Sequence, residues 1–216
     1  QGALVIEPVT AATTIGLGGG TGTLNLTDAE LAFLSDGFSS ITIGSSTAGN
    51  IDIDTASFAD PLTLITGGEI HDAATSPDLN MTGGDTATAD GTVAPGQSPG
   101  IMNVTGNFTF ADGSAFEVEI GGTTAGVGNG FHDQIDATGM VTIGTGVTLT
   151  TLAFLVGGGG STFVPSVGQA FTIINRTGGS GMFATLGEGA VVSANFLGSG
   201  LPATISYEGG NGDDVV

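Results

Sequence analysis

Two histidines and 21 carboxylates are the side chains of this 216-residue sequence with the most chemistry to offer. Each histidine stands directly before an aspartate, in His71-Asp72 and His132-Asp133. Serine is plentiful, so a Ser–His–Asp relay is available by residue type. The G-x-S-x-G elbow that would present its nucleophile is missing. Zinc needs three or four ligands at close spacing, and neither H-x-x-H nor H-E-x-x-H occurs. Both histidines are therefore expected in polar surface turns. Glycoside hydrolysis needs only two carboxyl groups flanking the scissile bond. Asp213-Asp214, Glu117 with Glu119, and Asp52 with Asp54 are nominal pairs. Sugar-stacking surfaces are nearly missing, with no Trp and only Tyr207, and the 12 Phe fall mostly on the inward phase of strands. A polyuronate lyase must neutralise a carboxylate with cations, and Arg176 is the only Lys or Arg in the chain. The expectation is a protein that is not an enzyme, with no catalytic residue assigned.

The C-terminal stretch Gly209-Gly210-Asn211-Gly212-Asp213-Asp214-Val215-Val216 fits the glycine-rich nonapeptide G-G-x-G-x-D-x-U of calcium-binding β-rolls. Tight turns there expose carbonyls and carboxylates, the hard oxygen ligands calcium prefers. Asn211, Asp213 and Asp214 are the candidate ligands, and calcium is the one ion considered; no cofactor is required. Such a site is normally built from consecutive repeats, and this sequence has one copy, so the plainer reading is a terminal turn before a last strand. Asp133 with Asp136, and Asp52 with Asp54, are further carboxylate pairs. Alternation along a strand puts both members on one face, the solvent face if the adjoining isoleucines point inward. Five of the nine Asn occupy N-x-T sequons: Asn25, Asn80, Asn103, Asn107 and Asn175. They are glycosylation candidates on an exported chain, but Thr two residues on is also simply a β-branched same-face neighbour. The pairs Thr21/Thr23, Thr86/Thr88 and Thr148/Thr150 are not expected to stack into a regular ice-binding array.

Composition sets the frame that must hold these residues. Gly accounts for 41 positions, without the G-X-Y period of collagen, and Cys is absent. Hydrophobic residues make up 39% and charged residues 10%, the reverse of a disordered chain. The formal net charge of −20 excludes a nucleic-acid partner, because phosphate binding requires Lys and Arg to release counterions. It equally disfavours anionic membrane surfaces. No run of 18 apolar residues exists, so membrane insertion as a helix is not expected. Without cysteine there is neither a disulfide framework nor thiolate chemistry. Gln1 opens the chain without a charged or apolar leader, so a mature chain or an excerpt of a longer one is expected. An acidic coat of this kind suits a soluble extracellular protein in saline, calcium-containing or acidic surroundings.

Apolar residues alternate in short runs, as in Leu24/Leu26, Ile41/Ile43, Ile51/Ile53, Leu62/Leu64, Phe108/Phe110, Phe116/Val118/Ile120 and Val141/Ile143. Glycine turns such as Gly18 to Gly20, Gly67-Gly68, Gly121-Gly122 and Gly157 to Gly160 separate them. This pattern predicts an all-β fold. Thr27-Asp28-Ala29-Glu30 is a capping box followed by Leu31, Leu34 and Phe38, predicting one short helix near 28–35 that covers a sheet edge. Val104-Thr105-Gly106 through Phe116 matches Ala137-Thr138-Gly139 through Leu149 at a constant offset of 33 residues. Each copy is two short strands around a glycine turn, a unit that buries its apolar face only by stacking on a neighbour. Two hairpins of an antiparallel β-sandwich in the second half would look similar, and that alternative stays open. Pro95-Gly96-Gln97-Ser98-Pro99-Gly100 reads as a linker. It divides an N-terminal segment, 1–94, from a C-terminal β-strand-repeat segment, 95–216, unless the two form one continuous solenoid.

"PGQSPG" followed by "IMNVTGNFTFADGSAFEVEI", "HDQIDATGMVTIGTGVTL" and the closing "SYEGGNGDDVV" resembles the β-strand repeat of bacterial autotransporter passengers and related giant surface proteins. "LTDAELAFLSDGFSSITIGS" is similar to repeats in filamentous-haemagglutinin-like proteins. These stretches cover most of the chain, residues 66–92 matching least. The resemblance implies a right-handed parallel β-helix, export to the cell surface, and a structural or adhesive role. Partners would be further copies or neighbouring repeats, which the unpaired strand groups at a solenoid end would join end to end into a filament, or a surface glycan or receptor. The sequence lacks the membrane-barrel segment of an autotransporter. Two other functions remain open as alternatives, a carbohydrate-active β-helix enzyme and a calcium-responsive binding module.

Overall fold

The computed structural model describes residues 2–72, 79–96, 99–156 and 160–216. In chain order the strands are β1 (Leu4–Ile6), β2 (Ile15–Gly18), β3 (Leu24–Thr27), β4 (Ile41–Ser45), β5 (Ile51–Ile53), β6 (Ala56–Phe58), β7 (Leu62–Asp72), β8 (Leu79–Met81), β9 (Thr86–Val93) and β10 (Ile101–Thr105). They continue as β11 (Asn107–Phe110), β12 (Ala115–Ile120), β13 (Gln134–Ala137), β14 (Val141–Ile143), β15 (Thr148–Ala153), β16 (Ile174–Asn175), β17 (Gly179–Ser180), β18 (Val191–Ser193) and β19 (Ala203–Thr204). One α-helix, α1 (Asp28–Leu31), and a 3-10 turn at Phe196–Gly198 complete the regular structure. The alternating runs became the strands, as β12 shows with its strict half-buried, buried repeat.

Pairing is almost wholly parallel. A five-stranded sheet runs β16-β13-β10-β8-β6. A twelve-stranded sheet contains two ladders that share β7 and β9, where the register shifts between Ile65 and Glu69. The first passes through Leu4, Ile41, Leu62, Ala87, Phe108, Val141 and Gly179. The second passes through Leu24, Ile15, Ile51, Ile70, Val93, Phe116 and Leu149. Neither sheet closes on itself.

The 33-residue offset read from the sequence is the pairing register: Val104 lies beside Ala137, Phe108 beside Val141 and Phe116 beside Leu149. The antiparallel alternative for the second half is therefore corrected. β10 through β15 pair in parallel, because successive repeats lie side by side in phase and stack like on like. Only β18 and β19 form an antiparallel strand pair among the described residues. Pairing also crosses residue 95, since β9 joins both β11 and β12, and β8 joins β10. Gln97 and Ser98 of the expected linker, and residues 157–159 of an expected glycine turn, lie outside the described residues. Pro95, Pro99 and Gly100 are buried, so the ends of that stretch are packed into the molecule.

Inward side chains of the ladders form one core of Ile, Leu, Val and Phe. Phe108 and Phe110 meet edge to face at 5.2 Å between centroids, Phe110 and Phe116 lie 5.3 Å apart, and Phe116 stacks on Phe183 at 6.0 Å. Such pairs add about 0.5–1.5 kcal/mol each beyond burial. Phe33 and Phe131 depart from the inward phase and are exposed. Close stacking leaves no room for a side chain at Gly44 (φ +94°), where a Cβ would run into the Ile65 carbonyl oxygen of the next strand. Helix α1 appears where the capping box predicts it. Thr27 accepts from the Glu30 N–H, the Glu30 carboxylate accepts from the Thr27 N–H, and bonds from Phe33 to Glu30 and Leu34 to Leu31 carry the turn to Leu34. Leu31 is buried against β2, β3 and β6.

Candidate functional site

Three of the carboxylates that the sequence offered in separate pairs, Asp52, Glu117 and Glu119, lie on the second ladder. Its outward column places Asp52 beside His71, and Glu117 follows on β12. A cleft of about 500 Å3 opens over this face, lined by Glu69, His71, Ala94, Pro95, Gly96, Glu117, Glu119 and Asp133. Glu117 and Glu119 share the outward phase of β12. Asp52 departs from the solvated position expected of it: it is buried, its Oδ1 lies 3.3 Å from His71 Nδ1, and its Oδ2 accepts from the Thr21 N–H and hydroxyl. Asp54, two residues on, is half-buried.

Asp133 is the least ordinary group in the cleft. It is 2% exposed, and each oxygen accepts one backbone N–H, Oδ1 from Gly100 and Oδ2 from Glu119, both at 2.6 Å. Burial pushes its carboxyl up to about 7, with Glu119 and Glu117 adding repulsion, although the two N–H bonds favour the charged form. Removal from water outweighs two hydrogen bonds here because the ionised form loses its whole hydration shell. Asp133 and Gly100 are 33 residues apart, so the repeat register is the signal that would have joined them.

The histidines are not in surface turns. His71 is half-buried within β7. His132 is 2% exposed, with Nδ1 3.1 Å from the Gly122 carbonyl and Nε2 3.1 Å from the Thr172 carbonyl. Both partners only accept, so a neutral ring can donate to one of them. Burial nonetheless holds its pKa below the ordinary value, against the pull of those carbonyls. The surrounding chain packs tightly enough that hydration of the imidazolium is lost.

At the C-terminus the nonapeptide forms a turn closed by hydrogen bonds from Gly209 and Asp214, each to the other's carbonyl. Asp214 is buried, and its Oδ1 accepts from the Arg176 N–H at 3.0 Å. Asn211 is exposed and Asp213 half-buried. The Asp213 carbonyl accepts from Arg176 Nε at 2.6 Å, and Arg176 Nη1 donates to the Val141 carbonyl at 2.7 Å. The single Lys or Arg of the chain thus fastens this turn to β14 of the first ladder. Among the described residues, no three His, Cys, Asp or Glu side chains are grouped as a metal ion needs.

The sequon asparagines sit in or beside strands. Asn107 donates to the Gly84 carbonyl and accepts from the Met140 N–H. Asn175 donates to Asp136 Oδ1 at 2.8 Å, and Asn80 reaches the Ser57 hydroxyl at 3.4 Å. Asn25 is exposed and Asn103 half-buried. The Thr-x-Thr pairs do not stack as pairs, since Thr86 lies beside Asn107. A single threonine column does form, through Thr42, Thr63, Thr88, Thr109 and Thr142 to Ser180. Sequence reasoning missed it because its members recur at unequal intervals.

A second hollow, about 450 Å3 and mainly apolar, lies between β15 and the C-terminal segments, with Leu149, Phe171, Phe196 and Ile205 among its walls. Comparisons with protein-family models, with curated proteins and with solved structures find no match.

Proposed function

We propose that this chain is a structural or adhesive segment of an exported cell-surface protein, wound as a right-handed parallel β-helix and self-associating through an end of its strand ladders. The observation that carries the reading is the register. Seven successive strands follow one another in parallel in each long ladder, over one aliphatic and phenylalanine core. Such stacking transmits load along backbone hydrogen bonds, and the acidic exterior keeps the shaft soluble. Extracellular placement and the partners named above belong to the same proposal. Negative-stain images and small-angle scattering test it: an elongated particle is the expected result, and a near-spherical one would falsify the shaft. A calcium titration followed by melting separates a passive shaft from a calcium-responsive module. The shaft shifts equally with magnesium, whereas a module responds to calcium alone.

The acidic cleft favours a second reading, a glycan hydrolase. A carboxyl held near neutrality beside two other carboxylates is the pairing that lets one group donate a proton while another activates water. In that reading Asp133 is the acid and Glu117 or Glu119 the base. The near absence of aromatic platforms and the use of both Asp133 oxygens in backbone bonds place it behind the first. Release of reducing ends from neutral or acidic glycans, lost in Glu117→Gln, is the result that would raise it.

A further inference from the structure

We propose that β15 is the surface through which two copies of this chain join, pairing antiparallel with β15 of the second copy about a two-fold axis at Thr151. This rests on the self-associating reading above and gives it an address.

Among the described residues β15 is paired on one side only, with β12. Thr148 N–H donates to the Ser114 carbonyl and Phe154 N–H to the Ile120 carbonyl. Because a parallel ladder alternates its bonding side residue by residue, Thr148, Thr150 and Leu152 turn their backbone groups toward β12. Leu149, Thr151 and Ala153 turn theirs outward. Among the described residues no hydrogen bond reaches that outer row. Exposure agrees: Ala115, Glu117 and Glu119 are half-buried on β12, whereas Thr148, Thr150 and Leu152, the corresponding positions of β15, are exposed. Two other ladder ends are covered, while β1 and β17 are, like β15, paired on one side only among the described residues but offer edges of just three and two residues. Val215 covers Ile174 of β16 with an antiparallel bridge, and α1 packs against β2 and β3.

A free edge of six residues is a template for another strand, and two features of this one select a second copy. The first is charge. Chains of −20 repel one another over most of their surfaces, yet β15 (TLTTLA) carries no charge, and no side chain lining the hollow beside it is charged. Glu117 and Glu119 stand beside Thr150 and Leu152 on β12, so the approach still meets repulsion that salt must screen, but none comes from the joining strand itself. The second is self-complementarity. The outward groups fall at Leu149, Thr151 and Ala153, spaced evenly about Thr151. Turning the strand over places Leu149 against Ala153 of the second copy and Thr151 against its own equivalent, every N–H meeting a C=O. An interface in which one patch meets itself is the commonest way that identical subunits associate. The inward side chains of the added strand then lie along the mouth of the hollow, whose wall already shows Val167 to solvent.

Thr150 lies opposite Leu152 of the second copy in this register, in the non-hydrogen-bonded position where side chains come closest. That gives a charge-swap test by sedimentation. The wild-type chain is expected at twice its 20.9 kDa mass, more completely as salt screens the remaining repulsion. Thr150→Glu/Leu152→Glu and Thr150→Lys/Leu152→Lys, both at exposed positions, are each expected as monomers with unchanged circular dichroism. An equimolar mixture of the two is expected to regain the dimer. A wild-type dimer that both double variants retain places the contact elsewhere and overturns the proposal while the self-associating reading stands. Monomeric variants that stay apart when mixed overturn the register. A wild-type chain that is monomeric at all concentrations and salt levels overturns the proposal and self-association together.

Discussion

Asp133 ties three strands through two N–H groups, yet its folded carboxyl titrates near 7 against an ordinary value near 3.8. An acid raised on folding holds a proton that the unfolded chain releases, so its contribution is complete below the ordinary value and is lost as pH climbs to about 7. That change amounts to roughly 4 kcal/mol across the interval. His132 acts in the opposite sense. Its pKa is lowered by burial, so the stability it contributes is present above the ordinary 6.5 and is lost as pH falls through the folded value. Melting temperature is therefore expected to rise as pH is lowered from 8 toward 6, and Asp133→Asn to flatten that rise while lowering stability below pH 5. Equal slopes in the two proteins would remove Asp133 from the account. Arg176 gives a second residue-scale prediction. Lysine cannot supply the planar fork that reaches the Val141 and Asp213 carbonyls together. Arg176→Lys is expected to cost about 1–3 kcal/mol in denaturant unfolding, the penalty of one buried carbonyl left without a donor.

Strands and helix were the most legible level. Period-two runs such as Phe116, Val118 and Ile120 became the inward rows, and the Thr27–Glu30 box formed as spelled. The repeat between residues 104 and 149 was legible too, because both copies keep the same length. The preceding strands were harder. From Ile41 to Leu62 the offset is 21 residues and from Leu62 to Ala87 it is 25, so fixed-period matching cannot see the threonine column or the meeting of Asp52 with His71. Nor does alternation tell an outward side chain in water from one that another segment covers, as Thr21 covers Asp52. Phe110 stands where three rings converge, and its edge-on contacts with Phe108 and Phe183 and tilted contact with Phe116 make the site intolerant of a void. Phe110→Ala is expected to lower unfolding free energy by about 3–5 kcal/mol, measured by urea titration.

At the scale of the molecule, charge opposes compactness. Most of the acidic side chains are near solvent, where screening by salt is effective. Sodium chloride is expected to raise the melting temperature steadily up to molar concentration. A fall over that range would mean that specific ion pairs, and not general repulsion, govern the exterior. The overall charge was legible from composition, but its distribution was not. The threonine column runs along strands that carry Asp90 as their one acidic residue between Ile41 and Ser180 in the first ladder, while the second ladder gathers Asp52, Glu69, Glu117 and Glu119. The molecule is acidic on one side and nearly neutral on another.

The burial of Arg176 reaches further than the turn it fastens. A digestive enzyme of the trypsin type reads a cationic side chain in its specificity pocket, and this chain offers one such side chain, 5% exposed with its guanidinium already bonded. While folded, it gives that class of protease nothing to grip; once unfolded, it yields two fragments, cut after residue 176. Resistance of this kind follows from omitting lysine and hiding the only arginine, and it would serve any protein left outside the cell among hydrolytic neighbours.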